Sequence, residues 1–144
     1  MPSRASTPFL ALLAIATLCG TAACADLDDS GEGGAGPEEP YASLAERPCP
    51  EDSVLTYENF GGPFMLGWCN GCHTSGLPEA DRQGAPLGSD FDDITLIRAH
   101  KDRIWARSGD HNLTMPPAAG PEDEERAMLG EWLACGAKTQ AELD

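Results

Sequence analysis

The chain has 144 residues, with 24 Asp and Glu against 9 Lys and Arg, a net charge of −15. That length allows one modest domain once a targeting segment is set aside. So acidic a surface repels phosphate backbones and anionic headgroups, which argues against nucleic-acid binding and electrostatic docking on a membrane; it either attracts a basic partner or simply keeps an exported chain soluble.

The first residues read as an export leader. Arg4 gives the positive start, Phe9 to Leu18 a short apolar core, and Gly20 to Ala23 the small residues before a cut. The apolar run falls short of the roughly 20 residues a membrane-spanning helix needs. Two cuts fit. Ala23-Cys24-Ala25 suits a signal peptidase, whereas Thr21-Ala22-Ala23-Cys24 resembles a bacterial lipoprotein box with Thr21 in place of the usual Leu, which would make Cys24 the acylated first residue. The next segment favours the second cut: residues 25–47 are acidic and rich in Gly and Pro, a composition that reads as a flexible tether. The division is therefore leader 1–24, linker 25–47 and folded domain 48–144, in a protein exported to the periplasm or cell envelope and held to a membrane by lipid on Cys24.

Leu55 to Trp68 carries Phe60, Phe64 and Trp68 at fourfold spacing, one stripe of a helix, with Pro63 placed in its first turn. The helix runs into Cys69-Asn70-Gly71-Cys72-His73, the C-x-x-C-H signature of covalent haem attachment. The spacing has a physical reason. Two thiols three positions apart on one helical turn can each add to a neighbouring vinyl group of a haem. The next residue then offers an imidazole to the iron from the same side, and small Asn70 and Gly71 let the porphyrin edge approach the backbone. Two rivals use the same Cys pair. A dithiol redox motif would follow a strand in a βαβ pattern, which is not visible here. Half of a zinc site would need partners from His100, His111, Cys49 or Cys135, none of which has paired ligand spacing.

A second helix is expected from Asp92 or Asp93 to about Ser108, with Ile94, Ile97, Ile104 and Trp105 on its apolar face and an acidic start suited to the helix dipole. His100 shares that face and reads as a satisfied core histidine. A haem iron that only carries electrons takes a second axial ligand, commonly Met or His. Met115, in Asn112-Leu113-Thr114-Met115-Pro116-Pro117, sits where two prolines stiffen an extended loop, and His111 is the alternative. Met65 and Met128 fall in helical stretches and read as core filling. A third helix should run from Pro121 to Cys135 and stop at Gly136, with Met128, Leu129, Trp132 and Cys135 on its buried face.

At the T-M-P-P loop the chain resembles class I c-type cytochromes, and the resemblance extends over 48–144. It implies an all-α bundle of three or more helices around one covalently attached haem c, with His73 and Met115 as axial ligands. It implies that a glycine of the first helix (Gly61, Gly62 or Gly67) meets Trp132 of the last. It also implies that a proline carbonyl after the motif, Pro86 in preference to Pro78, orients His73 through its Nδ1 proton. Arg82, Arg98, Arg103 and Trp105 are candidate propionate contacts. If the first and last helices cross, a Cys49–Cys135 disulfide is natural, although it is not general in that family; an intermolecular bond is the alternative. The function implied is a one-electron carrier rather than an enzyme, serving redox partner proteins with a basic docking surface. The rival is a haem-based enzyme or ligand-sensing domain with an open distal site; a cofactor-free, disulfide-stapled lipoprotein would leave the order of C-x-x-C-H unexplained.

Overall fold

The computed structural model describes residues 41–143, whose regular elements are all helical, with no strand among them. The leader, Cys24 and residues 25–40 of the expected linker lie outside the described residues. Among the described residues no helix is long and apolar enough to cross a membrane.

Three helical runs form the frame. The first, α1, is continuous through Tyr57–Gly61, Gly62–Phe64 and Met65–Cys69. Thr56 starts it: its Oγ1 accepts from the Asn59 amide and its own amide donates to Asn59 Oδ1. This cap puts Pro63 in the interior of the run rather than in its first turn. Proline has no N–H to give and its ring crowds the carbonyl four residues back. The run instead uses widened turns on either side: the Gly61 amide donates to the Thr56 carbonyl at 3.0 Å, and the Asn70 amide to the Met65 carbonyl at 2.8 Å.

The second helix, α2, spans Ile94–Ser108, opened by Asp93 Oδ1 accepting from the Thr95 and Leu96 amides. The third, α3, spans Asp123–Ala134 behind a capping box between Glu122 and Glu125. It ends as expected at Gly136, whose φ of +87° is the left-handed stop an L side chain disfavours. Pro121 lies before the helix, and its carbonyl accepts from Arg126 Nε.

α1 and α3 pack through Phe60, Tyr57 and Trp132: the Phe60 and Tyr57 ring centroids lie 6.3 and 6.5 Å from that of Trp132. Of the three candidate glycines, Gly61 makes the close approach: a Cβ there would overlap the Trp132 ring, whereas Gly67 has no neighbour that close and Gly62 faces Tyr57. Trp132 is fully buried, and its Nε1–H donates to the Lys138 carbonyl. Met65 is buried in the core and Met128 is packed against it.

One boundary expectation changes, and the expected disulfide is present. The stretch 41–47, read as the end of the linker, is part of the fold: Leu44 is buried in the core, and Arg47 donates to Asp110 and to the Ala127 carbonyl. Composition hid this because a single buried leucine and one arginine do the anchoring. Cys49 and Cys135 are joined by a disulfide within the chain, with their Cα atoms 4.8 Å apart.

Candidate functional site

A cavity of about 330 Å³ opens among the end of α1, the loop after it, α2 and the segment leading to α3. This volume is in the range of small-molecule and cofactor pockets. Trp68, Cys69, Cys72 and His73 line it from α1 and the motif turn, and Met115, Pro116 and Pro117 line it from the segment after α2. The motif residues and Met115, far apart in the chain, therefore face one space.

The motif turn is held by its own backbone. The Cys72 and His73 amides both donate to the Cys69 carbonyl, at 3.1 and 3.0 Å, and the His73 carbonyl accepts from the Phe91 amide at 2.9 Å. Both motif thiols are free. Burial pushes the Cys69 thiol up from 9.0 to about 12, so it is neutral at physiological pH. A dithiol catalyst requires the reverse, an attacking thiol with a lowered pKa.

The His73 ring stacks on Phe91, with centroids 4.6 Å apart. Its Nδ1 lies 2.8 Å from the Ser89 carbonyl. A carbonyl only accepts, so Nδ1 carries the proton and Nε2 is left with a lone pair for a metal. Pro86 is the partner expected from sequence, and here the structure differs: the Pro86 carbonyl accepts from Arg82 Nη2 at 2.9 Å and from the Ser89 amide. The turn that Pro86 begins delivers the carbonyl of Ser89, three residues further on, to the imidazole.

Arg82 organises that loop. Only 1% exposed, it donates to the carbonyls of Thr74, Ala85, Pro86 and Ser89 and pairs with Asp90 at 2.6 Å. The base of the loop is closed by Asp92, which accepts from the Thr74 hydroxyl and the Ser75 amide; those two bonds, in that order, hold its carboxyl below the usual range. Arg82 thus lines the cavity while its donors are spent on the loop that positions His73. Arg98 lies elsewhere: it donates to the Gly136 and Ala137 carbonyls and to Glu142, and does not line the cavity. Trp105 is buried, with Nε1–H donating to Asp110, and likewise stands away from it. Arg103 lines the cavity, and Arg107 one turn later joins it on the wall.

Met115 is 37% exposed, with its backbone fixed at both ends: its amide donates to the Arg107 carbonyl, and its carbonyl accepts from Ser108 Oγ and Arg126 Nη1. His111 is exposed and absent from the cavity wall. His100 is hydrogen-bonded as expected, its Nε2 2.9 Å from the Gly88 carbonyl, but it lies half-buried on the cavity wall rather than in the core.

No known protein family, curated protein or solved structure matches this chain. The reading of the site therefore stands on its own residues. Among the described residues, no three His, Cys, Asp or Glu side chains converge as a metal-binding group. A zinc site built on the Cys69–Cys72 pair needs such a group. A haem iron does not: its four equatorial nitrogens belong to the cofactor, and the protein supplies the axial donors. His73 and Met115 line a single cavity together with the free cysteines Cys69 and Cys72, a donor set that fits that requirement.

Sequence reasoning missed the buried roles of Arg82 and Arg126. For Arg126 a signal was present. It lies three and seven residues before Leu129 and Leu133, so it shares their buried face, where an arginine needs a reason.

Proposed function

We propose that this chain is a mono-haem c-type cytochrome, a one-electron carrier with His73 and Met115 as axial ligands and Cys69 and Cys72 as the covalent attachment points. The observation that carries the reading is the shared cavity: C-x-x-C-H on one wall, Met115 on another, and His73 Nδ1 engaged by Ser89 so that Nε2 is free. A bound haem would supply a one-electron iron couple. The chain's part is to hold, orient and exclude. The two thiols would fix the macrocycle edge to the motif turn. The Ser89 carbonyl, itself held by Arg82, strengthens the imidazole as a donor. Phe91 restrains the imidazole by stacking on it, and Trp68, Ile104, Pro116 and Pro117 line the cavity that would take the macrocycle. If His73 and Met115 both held the iron in its two oxidation states, little would reorganise, and the chain itself would break no substrate bond. A thioether in place of a second imidazole raises the potential.

The proposal extends to the whole chain as an exported protein, anchored through lipid on Cys24, with a tether that lets the head move between donor and acceptor at high effective concentration. A partner with a basic docking surface would complement the net charge of −15.

The rival reading, a haem-based enzyme or ligand sensor with an open distal site, would leave Met115 off the iron. The test serves both. Expressed with its leader in a host that attaches haem, the chain should give a haem-stained band on a denaturing gel, and Cys69→Ser/Cys72→Ser should abolish it. A folded but unstained protein overturns the cytochrome. The stained protein should show the weak far-red band of Met-ligated ferric iron, lost in Met115→Ala. Absence of that band with tight carbon monoxide binding would support the sensor or enzyme instead.

A further inference from the structure

We infer that Arg126 is the positioning residue for the Met115 segment, a guanidinium from α3 that fixes where the thioether can reach; the assignment rests on Met115 being the axial ligand. Arg126 is 5% exposed. Its Nε–H donates to the Pro121 carbonyl at 3.2 Å, and Nη1 lies within 3.0–3.1 Å of the carbonyls of Ser108, Asn112 and Met115. These carbonyls belong to the end of α2, the middle of the connecting segment, the Met itself and the entry to α3. One rigid planar fork therefore ties the last residue of α2 to three points of the segment after it, which has no regular secondary structure to hold it.

A second observation points the same way. A Cβ at Gly120 would overlap Arg126 Nη2, so the absence of a side chain at 120 leaves the space the guanidinium occupies. The backbone adds a clasp in the opposite direction, the Asp110 amide donating to the Arg126 carbonyl at 2.9 Å. Among the described residues, the guanidinium has no carboxylate within ion-pair distance. Its charge is met by carbonyl dipoles, a costly arrangement for a buried cation unless geometry is the purpose.

Two variants test this from different sides, on the full haem-loaded protein. Arg126→Met keeps the bulk and removes the donors, whereas Gly120→Ala keeps the guanidinium and fills its space. The first readout, amide hydrogen exchange, does not depend on the identity of the cofactor. Peptides covering 109–120 should exchange at least tenfold faster in either variant, while those of 94–108 and 124–134 stay protected. The second readout is the ferric far-red band, which should weaken or vanish in both variants at temperatures where helix content is unchanged. Arg126→Lys, with one charge but no fork, should restore the band only in part. Uniform loss of protection across all helices, or a full far-red band in folded Arg126→Met and Gly120→Ala, would overturn the positioning role and leave Arg126 a plain stability residue. If the unaltered protein lacks the band, the ligand reading fails instead, and the exchange pattern still decides whether Arg126 organises the segment.

Discussion

A methyl group added at Gly61 would lie within the ring of Trp132, and neither partner can retreat. The indole is fully buried and tied through Nε1 to the Lys138 carbonyl at 3.0 Å, and the Gly61 backbone is inside α1. Gly61→Ala should therefore destabilise by about 1–3 kcal/mol, the usual cost of overpacking a closed core. Urea unfolding would show this as a lower midpoint at constant slope; a change below about 0.5 kcal/mol would mean that α1 and α3 slide past one another freely. Asp110 shows similar crowding at a polar position. It accepts from Arg47 and from the Trp105 indole, and a Cβ at Gly130 would overlap its carboxylate. Each glycine here is small because of what stands opposite.

At the level of elements, the chain after α3 is held as a unit. The turn Gln140–Glu142 is fixed by Glu142, which accepts from the Thr139 amide and hydroxyl and from Arg98 of α2. The Gln140 amide adds a bond to Glu58 of α1. The Thr139 bonds first, and Arg98 after them, bring the Glu142 carboxyl down from 4.5 to about 2. A lowered carboxyl supports the fold while ionised, so its contribution is complete above pH 4.5 and is lost as pH falls through about 2. A carboxyl NMR titration should place its midpoint near 2, and amide exchange in 137–143 should rise over that interval. Glu142→Gln should remove the pH dependence; a midpoint near 4.5 would mean the turn is not docked in solution. The same logic of local fixation explains α1, where the Thr56 cap dictates the start and the turns widen around Pro63.

For the molecule as a whole, the disulfide joins the segment before α1 to the end of α3 across 86 positions. In the chain-entropy model, closing so long a loop contributes about 4–5 kcal/mol. A domain of about a hundred residues has little core to spare. Cys49→Ser/Cys135→Ser should lower stability by that order, measured by guanidinium unfolding; a loss below about 1 kcal/mol would show that residual contacts already restrict the unfolded chain. The packing of Leu44 and the Arg47–Asp110 pair extend the same brace to residues ahead of Cys49.

The motif, the helical stripes and the last stop were legible locally. C-x-x-C-H, the Phe60/Phe64 stripe and the Gly136 stop are each set by residues within a turn or two, so one sequence suffices to read them, whereas the Thr56 cap that moved Pro63 into the interior of α1 was not read. The all-α character follows from them. Other features depended on which distant groups meet. That Gly61 rather than Gly62 or Gly67 opposes Trp132, and that Cys49 reaches Cys135, are facts about crossing helices. That Ser89 rather than Pro86 faces His73 depends on where Arg82 draws the loop. Arg126 had a helical position that marked it as buried, but its acceptors are backbone carbonyls, which every residue carries, so the sequence could not name them. Side-chain chemistry and local periodicity are written in residue types; the meeting of a buried cation with distant carbonyls is decided only when the chain closes on itself.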